Sequence, residues 1–233
     1  MKNLPSDDFR VSIPDDNFQS YLYKEGIIVS EGTVAYGDIK GISNVSFRQK
    51  QIKDLEGIQY FTALTYLDCS INQLTRLDLS KNTALTHLYC PSNKLTSLDV
   101  SKNTDLTHLL CGSNKLKSLD VSKNNALRRL SCGNNKLTSL DISKNTALTY
   151  LDCDGNQLTS LDVSENRRLD HLDCRENQLT SLDVSKNTAL DHLDCDVNTK
   201  VEEASPYWTR IDWKEEGFNF LTDDQLGGYD DFD

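Results

Sequence analysis

The 233-residue sequence has no apolar run long enough to cross a bilayer, so we expect no membrane insertion. Its first residues, MKNLPSDDF, lack the apolar core of a signal peptide, so no leader is predicted in the sequence as it stands. The 25 Lys and Arg residues are outnumbered by 36 Asp and Glu, and the net charge of -11 argues against nucleic acid and anionic membrane surfaces as partners. The last 33 residues, 201–233, carry most of this negative charge.

Sequence motifs of catalysis and metal binding are missing as well. There is no Cys-x-x-Cys pair of the kind that binds zinc, no Gly-rich phosphate loop and no nucleophile elbow. We therefore predict a protein that is not an enzyme, with no catalytic residue, no metal and no cofactor.

What the sequence does contain is a strict repeat. Seven cysteines recur every 21 residues, at Cys69, Cys90, Cys111, Cys132, Cys153, Cys174 and Cys195. Such a period indicates one structural unit stacked on copies of itself. The coils begin at Leu64, Leu85, Leu106, Leu127, Leu148, Leu169 and Leu190. Cysteines stacked in this way have parallel Cβ vectors about 4.8 Å apart, so we predict buried, reduced thiols and no disulfides.

Each coil has two similar halves. The first, LTYLDCSINQ at residues 64–73, predicts a parallel β-strand. The second, LTRLDLSKNTA at residues 74–84, is too short and too polar for a helix and predicts an extended or strand-like back. The combined pattern resembles a leucine-rich repeat. We predict an α/β solenoid dominated by β, with one parallel β-sheet face, a short helical N-terminal cap and weak curvature.

Two polar columns accompany the repeat. An asparagine follows each strand, and its amide is predicted to satisfy backbone groups of its own and neighbouring coils. These residues are Asn72, Asn93, Asn114, Asn135, Asn156, Asn177 and Asn198. A similar structural role is predicted for the aspartates on the back, which are Asp78, Asp99, Asp120, Asp141, Asp162 and Asp183. Their mutual repulsion is expected to be offset by Lys81, Lys102, Lys123, Lys144 and Lys186.

The predicted organisation is an N-terminal helical cap at 12–41, the solenoid at 42–200 with a degenerate first coil at 42–63, a C-terminal aromatic cap at 201–221 and an acidic tail at 222–233. Pro14 and Asp15 mark the start of the first cap helix, and a second short helix is expected from Ser30 through Ala35. The C-terminal cap is predicted because Trp208 and Trp213 lie where the stack must end.

The motif IPDDNFQSYL at residues 13–22, with DLEGIQYFTALTYLDC at 54–69, resembles the leucine-rich repeat proteins exported by Bacteroidetes bacteria, which are similar in architecture to the internalins. The resemblance covers residues 13–198 and implies an extracellular or cell-surface binding protein. Many members carry a calcium loop after the first helix. None is expected here, because YKEGIIVSEG lacks the required Asp pattern.

Positions 3, 5 and 7 of each strand half are predicted to project from the exposed sheet face, while positions 1, 4 and 6 point into the core. The candidate ligand-binding residues on that face are Tyr66, His87, Tyr89, His108, Leu110, Arg129, Tyr150, Asp152, His171, Asp173, His192 and Asp194. The face is aromatic and apolar from Tyr66 to Leu110 and acidic from Asp152 to Asp196.

Two interpretations of the acidic end are open. It is either a solvated face stabilised by His171, His192 and Arg175, or a surface for a basic partner or a divalent cation. For the whole protein we predict a monomeric, non-catalytic binding or adhesion module that recognises a protein or glycan ligand. The alternatives are a structural spacer that presents other modules and a hydrolase at the acidic end. The hydrolase is disfavoured because a broad open sheet is expected neither to exclude water nor to perturb a pKa.

Overall fold

The computed structural model describes residues 5–28, 33–196, 199–202 and 209–210. The chain begins with a cap that consists of strand β1 (Arg10–Ser12), helix α1 (Asp16–Lys24), strand β2 (Thr33–Ala35) and helix α2 (Tyr36–Ile39). Asp15 caps α1, since its carboxylate accepts hydrogen bonds from the backbone N–H groups of Asn17 and Phe18. The ring of Phe18 packs edge-on against Phe47 of the first coil, 5.0 Å between centroids, and so closes that end of the core.

The second cap helix differs from the prediction. Residues 33–35 form β2, which pairs antiparallel with β1, and α2 begins only at Tyr36. Val34 and Val11 lie opposite each other in this pair and are both buried. A β-branched side chain packs well on such a pleated surface, which explains why a strand forms where a helix was expected. Ser30 lies outside the described residues.

The coils follow the cap. Their strands are β3 (Asn44–Ser46), β4 (Tyr66–Asp68), β5 (His87–Tyr89), β6 (His108–Leu110), β7 (Arg129–Ser131), β8 (Tyr150–Asp152), β9 (His171–Asp173), β10 (Ser181–Asp183), β11 (His192–Asp194), β12 (Lys200–Glu202) and β13 (Thr209–Arg210), with a 3-10 helix at Ile58–Tyr60. Among the described residues, nine of these strands form one parallel sheet, in the order β3 to β9, then β11 and β13. From β4 onward to β11, strand partners are one repeat apart, as Leu67 and Leu88 are.

The core is a column of leucines and cysteines inside the coils. The inward residues at positions 1, 4 and 6, such as Leu127, Leu130 and Cys132, are completely buried. All seven cysteines are buried and free, which confirms the predicted ladder of thiols. Burial raises the pKa of the Cys132 thiol well above its ordinary value, so the ladder stays uncharged at neutral pH.

The back of the solenoid is extended and turn-rich, as predicted. Within the described residues, strand pairing on this side is confined to β10 and β12, which run parallel to each other. The other second halves, between β4 and β9, have no strand ladder. They are joined to the neighbouring coil by single backbone bonds, such as that from the Lys94 N–H to the Leu74 carbonyl, and by asparagine side chains such as Asn103.

The coil pattern continues past residue 198 in shortened form. Strand β12 extends the back, and β13 extends the sheet, where His192 pairs with Thr209. Trp208 and Trp213, on which the predicted aromatic cap depends, lie outside the described residues, as does the acidic tail at 222–233. The C-terminal cap therefore stays a prediction.

The asparagine column after the strands bonds as predicted. Asn135 accepts a hydrogen bond from the Leu116 N–H through Oδ1 at 2.9 Å. Its Nδ2 donates to the carbonyl oxygens of Cys111, Cys132 and Gly133 at 3.0–3.2 Å. One amide therefore ties two coils together and satisfies backbone groups that would otherwise be buried without partners. The equivalent bonds form at Asn72, Asn93, Asn114, Asn156 and Asn177, while Asn198 lies outside the described residues.

A second asparagine column, on the back, was not predicted to be structural. Its members are Asn82, Asn103, Asn124, Asn145, Asn166 and Asn187, all buried. Asn124 donates through Nδ2 to the carbonyl oxygens of Val100 and Asn103 at 3.1 and 2.8 Å. In all six amides, Oδ1 is buried and no donor among the described residues reaches it. The two columns thus look alike in sequence and differ in hydrogen bonding.

The back-face aspartates bond to backbone groups, as predicted, but the lysines matter less than expected. Asp99 accepts a hydrogen bond from the Ser101 N–H at 2.9 Å, and the other aspartates of the column do the same with the serine two residues later. Hydrogen bonds from Ser101 are the main cause of the lowered pKa of Asp99, and Lys102 contributes less. Hydrogen bonds within the local turns therefore stabilise the charged carboxylates more than the lysines do.

Candidate functional site

The twelve candidate ligand-binding residues all lie on one surface, here called the sheet face. It consists of the outward side chains at positions 3, 5 and 7 of the coils, from Tyr66 to Asp196. In β7, for example, Leu130 is buried while Arg129 and Ser131 on either side of it are half-buried, which confirms the predicted alternation. The candidates are Tyr66, His87, Tyr89, His108, Leu110, Arg129, Tyr150, Asp152, His171, Asp173, His192 and Asp194.

The third-position side chains form stacks of planar groups. His171 lies between the rings of Tyr150 and His192, with centroids 4.4 and 4.5 Å away and planes within 9° of parallel. The guanidinium of Arg129 covers the other side of the Tyr150 ring at 3.8 Å. Because parallel strands hold the same position of successive coils about 4.8 Å apart, flat side chains are brought face to face. Tyr150 and His171 therefore turn their edges outward.

A second stack lies toward the N-terminus. The rings of His87 and His108 are 4.4 Å apart and 11° from parallel. Thr86 and Thr107, at position 2, place their hydroxyl oxygens 2.8 and 2.9 Å from the Nδ1 atoms of His87 and His108. These threonines orient the imidazoles, a role that sequence reasoning missed. The signal was available, since a threonine precedes each of these two histidines.

Tyr89 adds an aromatic side chain beside this stack. Its ring meets those of Tyr66 and His87 edge-on, with centroids 5.3 and 6.2 Å away. Leu110, at the same position of the next strand, is half-buried. Together with Tyr66 they form the aromatic and apolar half of the sheet face that the sequence predicted.

The fifth-position side chains are less exposed than predicted. Asp68, Asp173 and Asp194 point outward from the sheet, yet each is only 7–8 % exposed. The side chains at positions 3 and 7 and those of adjacent coils cover them. Asp173 and Asp194 are therefore not solvated, and that part of the first interpretation of the acidic end is wrong.

Asp152 and Asp154 form a close carboxyl pair. Asp152 accepts hydrogen bonds from the Ser131 hydroxyl at 2.8 Å and from the Asp154 N–H at 3.2 Å. Burial, followed by repulsion from Asp152 and Asp173, raises the pKa of Asp154 to about 7. Burial also raises the pKa of Asp152. The two groups therefore titrate together and do not both carry full charge at neutral pH.

Gly133 provides the space for this pair. A Cβ at residue 133 would collide with Asp154 Oδ1 and lie 3.0 Å from Asp152 Oδ1. Asn134 contacts the same carboxylate, since its Nδ2 donates to both oxygens of Asp154 at 3.2 Å. Neither Gly133 nor Asn134 was among the candidates named from the sequence. Packing between adjacent coils determines both roles, so neither could be read from one coil alone.

The remaining carboxylates have basic partners. The guanidinium of Arg175 donates to both oxygens of Asp173 at 3.0 and 2.5 Å, and this bond raises the pKa of Arg175. Nε2 of His192 lies 3.3 Å from Oδ2 of Asp194. Arg175 and His192 therefore have the stabilising role that the sequence suggested, whereas His171 is stacked between rings.

Two histidines on the face, His108 and His171, have strongly lowered pKa values. Burial, followed by repulsion from His192, lowers the pKa of His171 to about 4. Burial, followed by repulsion from His87, lowers the pKa of His108 to about 4 as well. The expectation that an open sheet leaves pKa values ordinary is therefore wrong. The cause is the tight stacking of neighbouring coils, which excludes water from the ring faces without any cleft.

The chemistry available on this face is hydrogen bonding and apolar contact. Within the described part of the chain, no three His, Cys, Asp or Glu side chains are arranged to hold a metal ion. The Ser131 hydroxyl donates its hydrogen bond to the Asp152 carboxylate and not to a histidine. No helix among the described residues has the length and apolar character needed to cross a bilayer.

Comparison with known proteins supports the repeat assignment. Residues 125–166 match the family model described as Leucine Rich repeats (2 copies). A 70-residue stretch is 44 % identical to Internalin J of Listeria monocytogenes serotype 4b (strain F2365); this covers 30 % of the chain and 8 % of that protein. The chain thus matches only a small part of this relative's length.

Two solved structures show the same fold. A leucine-rich repeat protein of Leptospira interrogans superposes with a TM-score of 0.63 at 23 % identity, over 71 % of this chain and 45 % of that one. Internalin C2 of Listeria monocytogenes superposes with a TM-score of 0.60 at 19 % identity, over 85 % of this chain and 100 % of that one. The fold is a parallel-strand leucine-rich repeat solenoid with internalin-like relatives. The narrower resemblance to Bacteroidetes proteins stays a prediction.

Proposed function

We propose that this solenoid is a non-catalytic binding module whose sheet face recognises a protein ligand. The observation that carries the proposal is the aromatic and apolar group formed by Tyr66, Tyr89 and Leu110 on a rigid sheet, beside an acidic half. Half-buried aromatic side chains held by their neighbours give large contact area at little entropic cost. Leucine-rich repeats are typically protein-binding, which agrees with this choice.

A glycan ligand is less well supported. Sugars are commonly held by stacking on the open face of an aromatic ring. On the sheet face, both faces of the Tyr150 and His171 rings are covered by neighbouring planar groups. Their edges can donate and accept hydrogen bonds, which suits the backbone and polar side chains of a polypeptide.

The acidic half of the face favours a partner with positive charge. Asp173 is paired with Arg175 and Asp194 with His192, while the repulsion between Asp152 and Asp154 is only partly offset by Arg175. A basic partner would relieve that repulsion and would be steered toward this end at low salt. By analogy with internalin-like relatives, we place the protein outside the cell or on its surface, as a monomer.

Parallel screens of the purified chain against arrays of extracellular proteins and of glycans would test this proposal. We expect hits on the protein array that Tyr89→Ala weakens strongly, at about 2 kcal/mol or more for a true hot spot. Lys102→Glu, on the back, is the matched control and should leave the same hits unchanged. Hits on the glycan array alone, or hits lost with Lys102→Glu and kept with Tyr89→Ala, would contradict the proposal.

A further inference from the structure

The two histidine stacks are unusual because they place ionisable groups of the same kind in direct contact. His87 and His108 are 4.4 Å apart, and His171 and His192 are 4.5 Å apart, all nearly parallel. Two neutral imidazoles stack favourably at this distance, whereas two imidazolium ions repel each other across it. The repeat enforces the contact, since each ring stands at the same position of its coil.

The surroundings of each stack are mixed in charge. His171 stacks between Tyr150 on β8 and His192 on β11, and its charge is also affected by Asp173 on its own strand, by Arg129 on β7 and by Asp191 just before β11. Asp152 on β8 and Asp194 on β11 lie opposite Asp173 in the sheet. His108 stacks on His87 of β5, which Tyr89 contacts in turn, and its charge is affected by Arg129 on β7 and by Arg128 just before it. Arg129 lies between the two stacks and disfavours protonation of both His108 and His171.

We propose that the histidine stacks make the sheet face acid-responsive: at neutral pH His108 and His171 stack as neutral rings on their neighbours, and acidification charges these two rings and separates them from the stacks. When both histidines of a stack are charged, holding their rings 4.4–4.5 Å apart costs electrostatic free energy. Separation of His171 from Tyr150 would also expose ring faces that are covered at neutral pH. The face therefore changes both its charge and its shape.

The direction of the change follows from the protonation states. The pKa of about 4 for both His108 and His171 keeps these rings neutral until the medium is clearly acidic. The carboxyl pair changes in the same sense, because a pKa of about 7 for Asp154 means that it gains its proton as pH falls through neutrality. Acidification thus makes the face steadily less negative and then positive.

The consequence for a partner rests on the proposed function of the face. A basic ligand held by the acidic half would be released as pH falls. If binding requires both His108 and His171 to be neutral, two half-protonated groups would lower the affinity about fourfold at a pH equal to their pKa. Further acidification would weaken binding further.

Nuclear magnetic resonance of the full chain tests the acid response without any ligand. The imidazole Cε1–Hε1 signals are followed from neutral pH to below the expected midpoints. We expect His108 and His171 to titrate at about 4, and the Tyr150 ring signals to shift together with His171. Midpoints near the ordinary histidine value of 6.5, or Tyr150 signals that do not move with His171, would overturn the proposal.

Two reciprocal variants supply the matched control. His192→Phe keeps a ring in the stack and removes the neighbouring charge, so it should raise the midpoint of His171 and leave that of His108 in place. His87→Phe should raise the midpoint of His108 and leave that of His171 in place. If each variant leaves its own neighbour's midpoint unchanged, the rings are not coupled through their stacks and the proposal is wrong.

The effect on binding is measured separately with an oligolysine peptide as the probe. The wild type and the double variant His108→Phe/His171→Phe have the same carboxylates, so their difference isolates the histidines. Near the midpoints we expect the wild type to lose about fourfold more affinity than the double variant. An equal loss in both proteins would overturn the regulation of binding. A peptide that binds neither protein at any pH would refute the basic partner, while the ring signals alone still decide the acid response.

Discussion

The two asparagine columns allow a sharp test of what holds the coils together. Asn135 and Asn124 lie in the same region of the stack, are both buried, and differ mainly in their hydrogen bonds. We expect Asn135→Ala to destabilise the protein much more than Asn124→Ala. The comparison is well matched, because the same atoms are deleted at both sites and the loss of packing largely cancels.

The magnitude follows from the bonds that each amide makes. Without Asn135, the Leu116 N–H loses its acceptor inside the core, which costs about 1–3 kcal/mol. The bonds that its Nδ2 donates to carbonyl groups are also lost, at about 1 kcal/mol for each of two protons. The expected total is about 3–5 kcal/mol.

Asn124→Ala loses two donated bonds as well, but the affected carbonyls of Val100 and Asn103 keep backbone partners. The change also removes a buried Oδ1 for which the described residues provide no donor, and an unsatisfied acceptor costs about 1–3 kcal/mol. These effects oppose each other. With about 1 kcal/mol for each lost bond, the expected net cost lies between about −1 and +1 kcal/mol.

Urea denaturation followed by circular dichroism measures the free energy of unfolding of the three proteins. Amide hydrogen exchange supplies the site-specific check, because the Leu116 amide should lose protection in Asn135→Ala and keep it in Asn124→Ala. If the two variants cost the same, or if Asn124→Ala costs more, the unpaired Oδ1 atoms do not carry the assigned penalty and the reasoning is refuted.

Three further predictions follow from the core and the sheet face. Cys132→Ser should lower stability by about 1–3 kcal/mol, since a hydroxyl in the thiol ladder lacks a free acceptor; a wild type that loses stability on addition of reductant would disprove the free thiols. Gly133→Ala should force the Asp154 carboxylate outward and lower its pKa from about 7, measured by carboxyl carbon shifts, whereas Gly112→Ala should not. Because the folded pKa of His171 is below 6.5, the stability that it contributes is lost as pH falls from 6.5 through about 4, so denaturation midpoints of His171→Phe should decline less than those of the wild type over that range.

Much of the architecture could be predicted from the sequence. The 21-residue spacing of the cysteines requires stacked coils, because only a repeating environment accepts the same residue at the same interval. The alternation around Leu130 and the amide bonds of Asn135 followed from strand geometry and from the need to satisfy buried backbone groups. The helix start at Asp15 followed from capping chemistry. These features are local, or they repeat identically in each coil.

The candidate site shows where this reasoning ends. The sequence placed His171, Asp152 and their neighbours on one face, but it left open whether the acidic end is solvated, and it predicted ordinary pKa values. Only the stacked coils cover the ring faces, bury Asp173 and bring Asp152 against Asp154 beside Gly133. The second asparagine column was missed for the same reason, since a buried amide is recognised by its surroundings.

The sequence by itself therefore determined which residues share a face, because side-chain direction follows from position within the coil. The tertiary structure decided how far those residues are exposed, what they bond to and at what pH they ionise. Such properties depend on side chains that are 21 residues apart in the chain and about 4.8 Å apart in space, where burial and mutual repulsion act together.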